Sequence, residues 1–206
     1  MKITYSKGRG TKIHISIDGE YRLTTDADFW FSCGYRSGDE ITPEQFKELS
    51  EAICYRKAFN KAVDYLSRRD HSVRELTDKL GRSFEYWVCD RVVNDLTERG
   101  YLDDTNFARN YARYLCESKH FWTARIKNEL YKKGIDRVII DDVISEISEQ
   151  GEPTESIIEL LKTKSTLKFE TQKELGRTVN TLMRMGYTYS QIKSALEIFK
   201  DNYLDE

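Results

Sequence analysis

The sequence predicts a mainly α-helical protein in which tandem three-helix repeats form an elongated, curved array, preceded by a small N-terminal extension with a β-hairpin. Three observations lead to this prediction. The 206 residues include only two prolines and eleven glycines, a composition that favours long helices over a loop-rich β fold. From residue 42 onward apolar residues recur at helical spacing, and a short motif typical of helix ends occurs three times in that region.

The N-terminal extension has the pattern of a β-hairpin. Isoleucine occupies every second position from Ile13 to Ile17, and the alternation of apolar and polar residues resumes after the pair Asp18-Gly19. Both central positions of such a tight turn need positive φ angles, which Asp and Gly tolerate, so the pair predicts a hairpin turn. A short helical segment is expected over residues 26–33.

Nine helices are predicted after this extension, and each has an apolar stripe that we assign to the protein core. Thr42 and Gln45 form a capping box around Pro43, a residue that suits the first position of a helix. Ser72 and Glu75 form a second capping box. The predicted helices cover residues 43–68, 72–80, 84–99, 104–118, 122–133, 136–148, 154–163, 169–185 and 188–200.

A leucine with a glycine four positions later, and an apolar residue directly after that glycine, occurs three times. This pattern predicts helix C-caps. In each copy we expect the glycine to end a helix in the left-handed conformation and the next residue to fold back onto the last turn. The copies are Leu96…Gly100-Tyr101, Leu130…Gly134-Ile135 and Leu182…Gly186-Tyr187. With the helix pattern, they predict an extension over 1–50 and helical repeats over 51–102, 103–150 and 151–206.

The middle of the chain is basic. Residues 55–137 hold 18 Lys and Arg against 13 Asp and Glu, a net charge of +5, whereas the remainder has a net charge of −7. A basic region can bind a polyanion or an acidic protein surface, and the alternative is ordinary unevenness in a charge-rich chain. Trp122 and Tyr131 lie among these cations, and Trp122 is either an interface anchor or a plug between repeats. The candidate partner-binding residues are Arg68, Arg69, Arg74, Arg109, Arg113, Arg125, Lys127, Lys132 and Lys133.

No catalytic, cofactor-binding or metal-binding residues are predicted, and neither is a small-molecule substrate. The pairs Asp103-Asp104 and Asp141-Asp142 are adjacent carboxylates. Consecutive helical side chains point about 100° apart, so such a pair chelates a single ion poorly. Asp103 or Asp104 is better explained as the N-cap of the following helix. We therefore expect a protein that is not an enzyme.

Composition also predicts where the protein resides. The four cysteines are scattered and form no CxxC pair, which is typical of reduced thiols in a cytosol. No stretch approaches the roughly 20 apolar residues that a membrane span needs. The N-terminus lacks an apolar segment of signal-peptide length. These features predict a cytoplasmic protein without a membrane partner.

An ordered set of motifs resembles one protein family over residues 55–200. The motifs are Tyr65-Leu66-Ser67-Arg68-Arg69, Ser72…Glu75-Leu76…Lys79-Leu80, Leu96…Arg99-Gly100-Tyr101-Leu102-Asp103-Asp104…Phe107-Ala108, Ile126…Glu129-Leu130…Lys133-Gly134-Ile135 and Leu182…Met185-Gly186-Tyr187. In this order they resemble the repeats of RecX proteins, and the hairpin-bearing extension resembles that of Gram-positive members. The sequence His120-Phe121-Trp122 departs from the family, which often carries a glycine there, and the third repeat matches only in its latter half.

The resemblance implies a regulator that binds the RecA filament on single-stranded DNA. RecX proteins damp the ATP hydrolysis, strand exchange and co-protease activity of RecA, and so affect DNA repair and the SOS response. Some members also bind DNA directly. The first alternative is therefore a DNA-binding helical module that acts by competing for DNA, and the second is a helical-repeat adaptor with an unrelated partner.

Overall fold

A computed structural model describes residues 1–168 and 170–203 of the chain. Within these ranges a three-stranded antiparallel sheet of order β1-β2-β3 is followed by ten helices, so the mainly helical fold with a small N-terminal β element is confirmed. The strands are β1 (Ile3–Lys7), β2 (Lys12–Ile17) and β3 (Glu20–Asp26). The helices are α1 (Ala27–Ser32), α2 (Pro43–Leu66), α3 (Val73–Leu80), α4 (Tyr86–Glu98), α5 (Asp104–Lys119), α6 (Thr123–Lys132), α7 (Arg137–Gln150), α8 (Pro153–Thr163), α9 (Gln172–Arg184) and α10 (Tyr189–Tyr203).

The predicted hairpin is formed by β2 and β3. Asp18 and Gly19 connect these strands with φ angles of 51° and 86°, so both turn positions are positive as expected. The strand β1 was not predicted, and it pairs with β2 in the register Ile3↔Ile17. Only two apolar residues alternate in β1, Ile3 and Tyr5, and so short a pattern is a weak signal of a strand.

The chain divides into two compact units, and the first contains Met1–Arg69 and Leu76–Tyr101. One face of its sheet is apolar and packs with α1 and α2 in a common core. Trp30 of α1 is completely buried in this core, where its ring lies 5.4 Å from that of Tyr5. A bidentate hydrogen bond from Arg56 of α2 to Asp26 at the end of β3 fixes the sheet to the helix.

The second unit contains Asp70–Glu75 and the chain from Leu102 onward. Helices α5, α6 and α7 bury one apolar cluster that includes Leu130 and Ile140. Helices α8, α9 and α10 bury a second cluster that includes Leu182 and Ile192. Each set of three helices therefore has its own core. Burial of each aliphatic side chain in such a core stabilises the folded state by about 1.5–3 kcal/mol.

The helix starts predicted at Thr42 and Ser72 are confirmed, and the first of the two predicted capping boxes is complete. The Thr42 hydroxyl accepts a hydrogen bond from the Gln45 backbone N–H at 3.2 Å, and the Gln45 side chain accepts one from the Thr42 N–H at 2.9 Å. The Ser72 hydroxyl accepts a hydrogen bond from the Glu75 N–H at 3.1 Å. The local sequence therefore determines where α2 and α3 begin.

The helix predicted over 169–185 begins later, at Gln172. Its N-cap is Thr171, whose hydroxyl accepts a hydrogen bond from the Glu174 N–H at 3.3 Å. This capping box was missed because the apolar pattern extends before it. The predicted first residue, Phe169, and residues 204–206 of the predicted third repeat lie outside the described part of the chain.

The three predicted C-caps have the expected backbone geometry. Gly100, Gly134 and Gly186 have φ angles of 74°, 77° and 102°. In each copy the N–H of the residue after the glycine donates to the carbonyl of the motif leucine, at 2.9, 3.2 and 3.2 Å. The following residue is buried in the second and third copies, whereas Tyr101 is 66% exposed. The backbone of Tyr101 therefore folds back onto its helix as expected, but its side chain remains in solvent.

Candidate partner-binding surface

Most of the nine predicted partner-binding residues form ion pairs within the protein. Arg69 and Arg74 also interact with other groups of the chain. The pairs are Arg68–Asp64 at 3.0 Å, Arg109–Glu146 at 2.7 Å, Arg125–Glu129 at 2.9 Å, Lys127–Asp141 at 2.6 Å, Lys132–Glu129 at 2.9 Å and Lys133–Glu75 at 2.6 Å. A partner that binds these side chains has to replace an existing contact, so a high density of cations does not by itself define a binding surface.

The strongest geometry in this set joins α5 to α7. Nε of Arg109 donates to both carboxylate oxygens of Glu146, at 3.1 and 3.2 Å, and Nη2 donates to Oε1 at 2.7 Å. These hydrogen bonds lower the pKa of Glu146 and raise that of Arg109. Both side chains remain over two-fifths exposed, so the pair is accessible to solvent and salt.

A second cross-helix pair explains one of the adjacent carboxylates. Lys127 of α6 donates to Asp141 of α7 at 2.6 Å, and this hydrogen bond is the main reason why the pKa of Asp141 is lowered. Asp141 therefore serves as an ion-pair partner between helices. In residues 1–168 and 170–203 no group of three or more His, Cys, Asp or Glu side chains could hold a metal ion.

Arg113 differs from the other candidates on α5. It is exposed and has no ion pair within the part of the chain that the structure describes. Together with Arg109, one helical turn earlier, it lines a cavity of about 260 Å³ in the second unit. Apolar side chains, including those of Trp122 and Val143, form part of the cavity wall. Arg113 is thus placed to form a new bidentate contact with a carboxylate or phosphate at the cavity rim.

Trp122 belongs to the protein core and not to the exposed surface. Its side chain is only 5% exposed and lies in the cluster formed by α8, α9 and α10. Its ring stacks on that of Tyr187 with centroids 5.7 Å apart and an interplanar angle of 10°. Burial raises the pKa of Tyr187 to about 12. The sequence left two interpretations of Trp122 open, and its burial supports the packing role. Tyr131, in contrast, is 42% exposed.

The adjacent carboxylates at the start of α5 have separate structural roles. The Asp103 side chain accepts hydrogen bonds from two N–H groups in the first turn, so it is the predicted N-cap. The Asp104 side chain accepts a hydrogen bond from the Val73 N–H, the first residue of α3, at 2.9 Å. Burial, and secondarily the charge of Asp103, raises the pKa of Asp104. This carboxylate connects the start of α3 to the start of α5.

We expect Asp104→Asn to raise the free energy of unfolding at pH 7. A raised folded-state pKa means that the charged form is less stable in the folded protein, and asparagine keeps an acceptor oxygen without the charge. The advantage over the wild type should shrink as the pH falls through the pKa of Asp104, because the wild-type carboxyl then becomes neutral. Urea unfolding at several pH values measures this difference.

The control for this prediction is Asp104→Ala. Alanine leaves the Val73 N–H without an acceptor, which costs about 1–3 kcal/mol for a buried donor. If the asparagine variant is as unstable as the alanine variant at pH 7, the negative charge at the helix start, and not the hydrogen bond, is what stabilises this junction.

Together these features define a protein built from consecutive three-helix domains. Residues 58–104 match the family model described as RecX, first three-helix domain, and residues 103–144 match RecX, second three-helix domain. The chain belongs to the RecX family of regulatory proteins, and its tandem three-helix domains are confirmed. The exact boundaries predicted for the extension and the three repeats stay a prediction.

Whole-chain comparisons agree with this assignment. The chain is 30% identical over 191 residues to the regulatory protein RecX of Caldanaerobacter subterraneus subsp. tengcongensis, covering 92% of this chain and 94% of that relative. It is 26% identical to the regulatory protein RecX of Clostridioides difficile, covering 95% and 92%. A crystal structure of regulatory protein RecX has a similar fold, with a TM-score of 0.66, 20% identity and coverage of 100% and 98%. The family supports a regulatory role. The helices described in this structure are all too short or too polar to cross a membrane.

Proposed function

We propose that this protein binds the RecA filament on single-stranded DNA and restrains its ATP hydrolysis, strand exchange and co-protease activity. The observation that carries the proposal is membership of the RecX family over nearly the whole chain. Such a regulator needs no chemical step, because it shifts an assembly equilibrium through its different affinity for two states of the filament. The protein then acts in the cytoplasm, without a cofactor, in DNA repair and the SOS response.

The rim of the α5–α7 cavity is the contact surface that we favour among the predicted residues. Arg113 has no ion pair to give up within the described residues, and its guanidinium suits a carboxylate on a protein or a phosphate on DNA. Arg109 and Lys127 can join the contact only by releasing Glu146 and Asp141. Exposed ion pairs of this kind contribute about 1 kcal/mol or less, so the exchange is feasible.

We expect Arg113→Glu to raise the amount of protein needed to inhibit RecA by about tenfold, which corresponds to about 1.4 kcal/mol of lost binding. Reversing the charge at this position removes one attraction to an anionic group of the partner and adds one repulsion, and it breaks no ion pair within the described residues. The measurement is ATP hydrolysis by RecA on single-stranded DNA, titrated with wild type and variant. The wild type should inhibit ATP hydrolysis at substoichiometric amounts. If the wild-type protein has no effect on hydrolysis, the proposed function itself is refuted.

The matched control is Lys47→Glu, which makes the same charge change on α2 of the first unit. The Lys47 side chain is 78% exposed and lies 3.9 Å from Glu51, so its reversal should leave both folding and inhibition nearly unchanged. The double variant Arg109→Glu/Glu146→Arg tests the rim further, because it restores an ion pair with opposite polarity. If Arg113→Glu inhibits as well as Lys47→Glu, the contact surface lies elsewhere.

A further inference from the structure

The α5–α7 cavity has an apolar interior below its charged rim. Ala112 of α5, Val143 and Ile147 of α7, and Trp122 contribute apolar side chains to its wall. The volume of the cavity is about 260 Å³. Because an apolar cavity of about 150 Å³ already holds a benzene molecule, this one has room for a large side chain. The ion contacts considered for the rim leave this interior unused.

The apolar walls of the cavity belong to packed cores. Ala112 and Val143 are 1% and 2% exposed, and both lie in the cluster that α5, α6 and α7 bury. Gly151 follows α7, and a Cβ there would lie 2.9 Å from Cη2 of Trp122, so the indole ring packs directly against this turn. Walls held in this way are preorganised for a ligand. Atoms that face a void lack van der Waals contacts on that side, and a bound apolar group supplies them.

The charges at the rim of the cavity indicate which kind of partner fits it. The lining includes Arg109, Arg113, Glu117 and Glu146, whose charges cancel. Surfaces that bind a phosphate backbone are strongly positive, and a row of phosphates would pass close to both glutamates here. A single carboxylate can instead pair with Arg113, which has no ion pair among the described residues. The rim therefore suits a protein segment with one acidic side chain better than it suits DNA.

We propose that the α5–α7 cavity receives one large apolar side chain of the RecA protein, beside a carboxylate of RecA that pairs with Arg113. This inference rests on the proposed function, since it takes the filament as the partner, and it assigns the contact to the protein of the filament and not to its DNA. A buried apolar anchor next to an arginine is an arrangement that supplies much of the binding energy at protein interfaces. The anchor provides affinity, and the ion pair at the rim selects which apolar residue of the partner enters.

Filling the cavity from within tests the anchor. The longer side chain of Ala112→Met should occupy the cavity and keep the melting temperature at or above that of the wild type, because it buries apolar surface. The amount of protein needed to inhibit ATP hydrolysis by RecA should rise by about tenfold, since the anchor loses its site. Ile147→Phe fills the cavity from α7, so the test does not depend on one variant folding. The matched control is Ala52→Met on α2 of the first unit, which should inhibit like the wild type.

Cys116 reports occupation of the cavity directly, because its thiol is part of the lining. Burial raises the pKa of this thiol, so alkylation by iodoacetamide is followed at alkaline pH, with mass spectrometry to read each cysteine separately. Addition of the RecA filament should slow the reaction at Cys116 and leave unchanged that at Cys33 in the first unit, which is also half-buried. Single-stranded DNA without RecA should protect neither thiol.

The outcomes separate the anchor from the proposed function. If the wild type inhibits RecA and a stable filled variant inhibits equally well, the anchor is refuted and the proposed function stands. The anchor is also refuted if the filament leaves alkylation of Cys116 unchanged or slows that of Cys33 equally, or if DNA alone protects Cys116. If the wild type does not inhibit RecA at all, the proposed function fails, and the anchor fails with it.

Discussion

Gly186→Ala should lower the free energy of unfolding of the second unit by about 2–4 kcal/mol, from a strained backbone and an overpacked contact together. The backbone of Gly186 has a φ angle of 102°, which disfavours any residue with a side chain. A Cβ would also lie 2.6 Å from the backbone nitrogen of Arg125 and 2.7 Å from the carbonyl oxygen of Trp122. These are main-chain atoms at the start of α6, and they cannot move aside as a flexible side chain can.

Gly100→Ala is the control, since Gly100 occupies the same position of the same C-cap motif. Its φ angle is 74°, but a Cβ there would meet nothing within 4 Å. Only the left-handed backbone is then penalised, at about 1–2 kcal/mol. Urea unfolding followed by circular dichroism and tryptophan fluorescence compares the variants. Equal losses would mean that the close approach at Gly186 contributes nothing to stability.

The two glycines show what sequence can predict about this fold. Helix starts and ends depend on hydrogen bonds between residues within about six positions of each other, so Thr42, Ser72 and the three glycine caps were predicted correctly. Asp103 was one of two predicted N-caps of α5, and the structure selects it. The environment of each cap depends on distant packing. Nothing in the local motif distinguishes the open position of Gly100 from the crowded position of Gly186.

The candidate site was harder to predict for the same reason. The sequence indicated that Arg109 and Arg113 share a face of α5, but the partner of Arg109 lies 37 residues away on α7. Only the fold shows that Glu146 engages one arginine while the next has no ion pair among the described residues.

Trp122→Ala should lower the free energy of unfolding by about 3–5 kcal/mol, the usual cost of removing a buried aromatic side chain. The variant loses the stacking on Tyr187 and leaves a void in the cluster of α8, α9 and α10. The backbone N–H of Trp122, which donates to the Met185 carbonyl at 2.8 Å, is retained. Trp122→Phe should cost less, because a ring remains against Tyr187. Urea unfolding of the two variants beside the wild type measures the difference.

Trp87→Ala is the matched control, since Trp87 is 39% exposed and its indole N–H donates to Glu85 at the surface. Its removal should change stability by about 0.5 kcal/mol or less. The comparison separates the two roles of Trp122, because an interface anchor would be needed for inhibition of RecA but not for folding. A Trp122→Ala protein that is as stable as the Trp87→Ala protein and yet fails to inhibit would make Trp122 an anchor, against the packing role that its burial indicates.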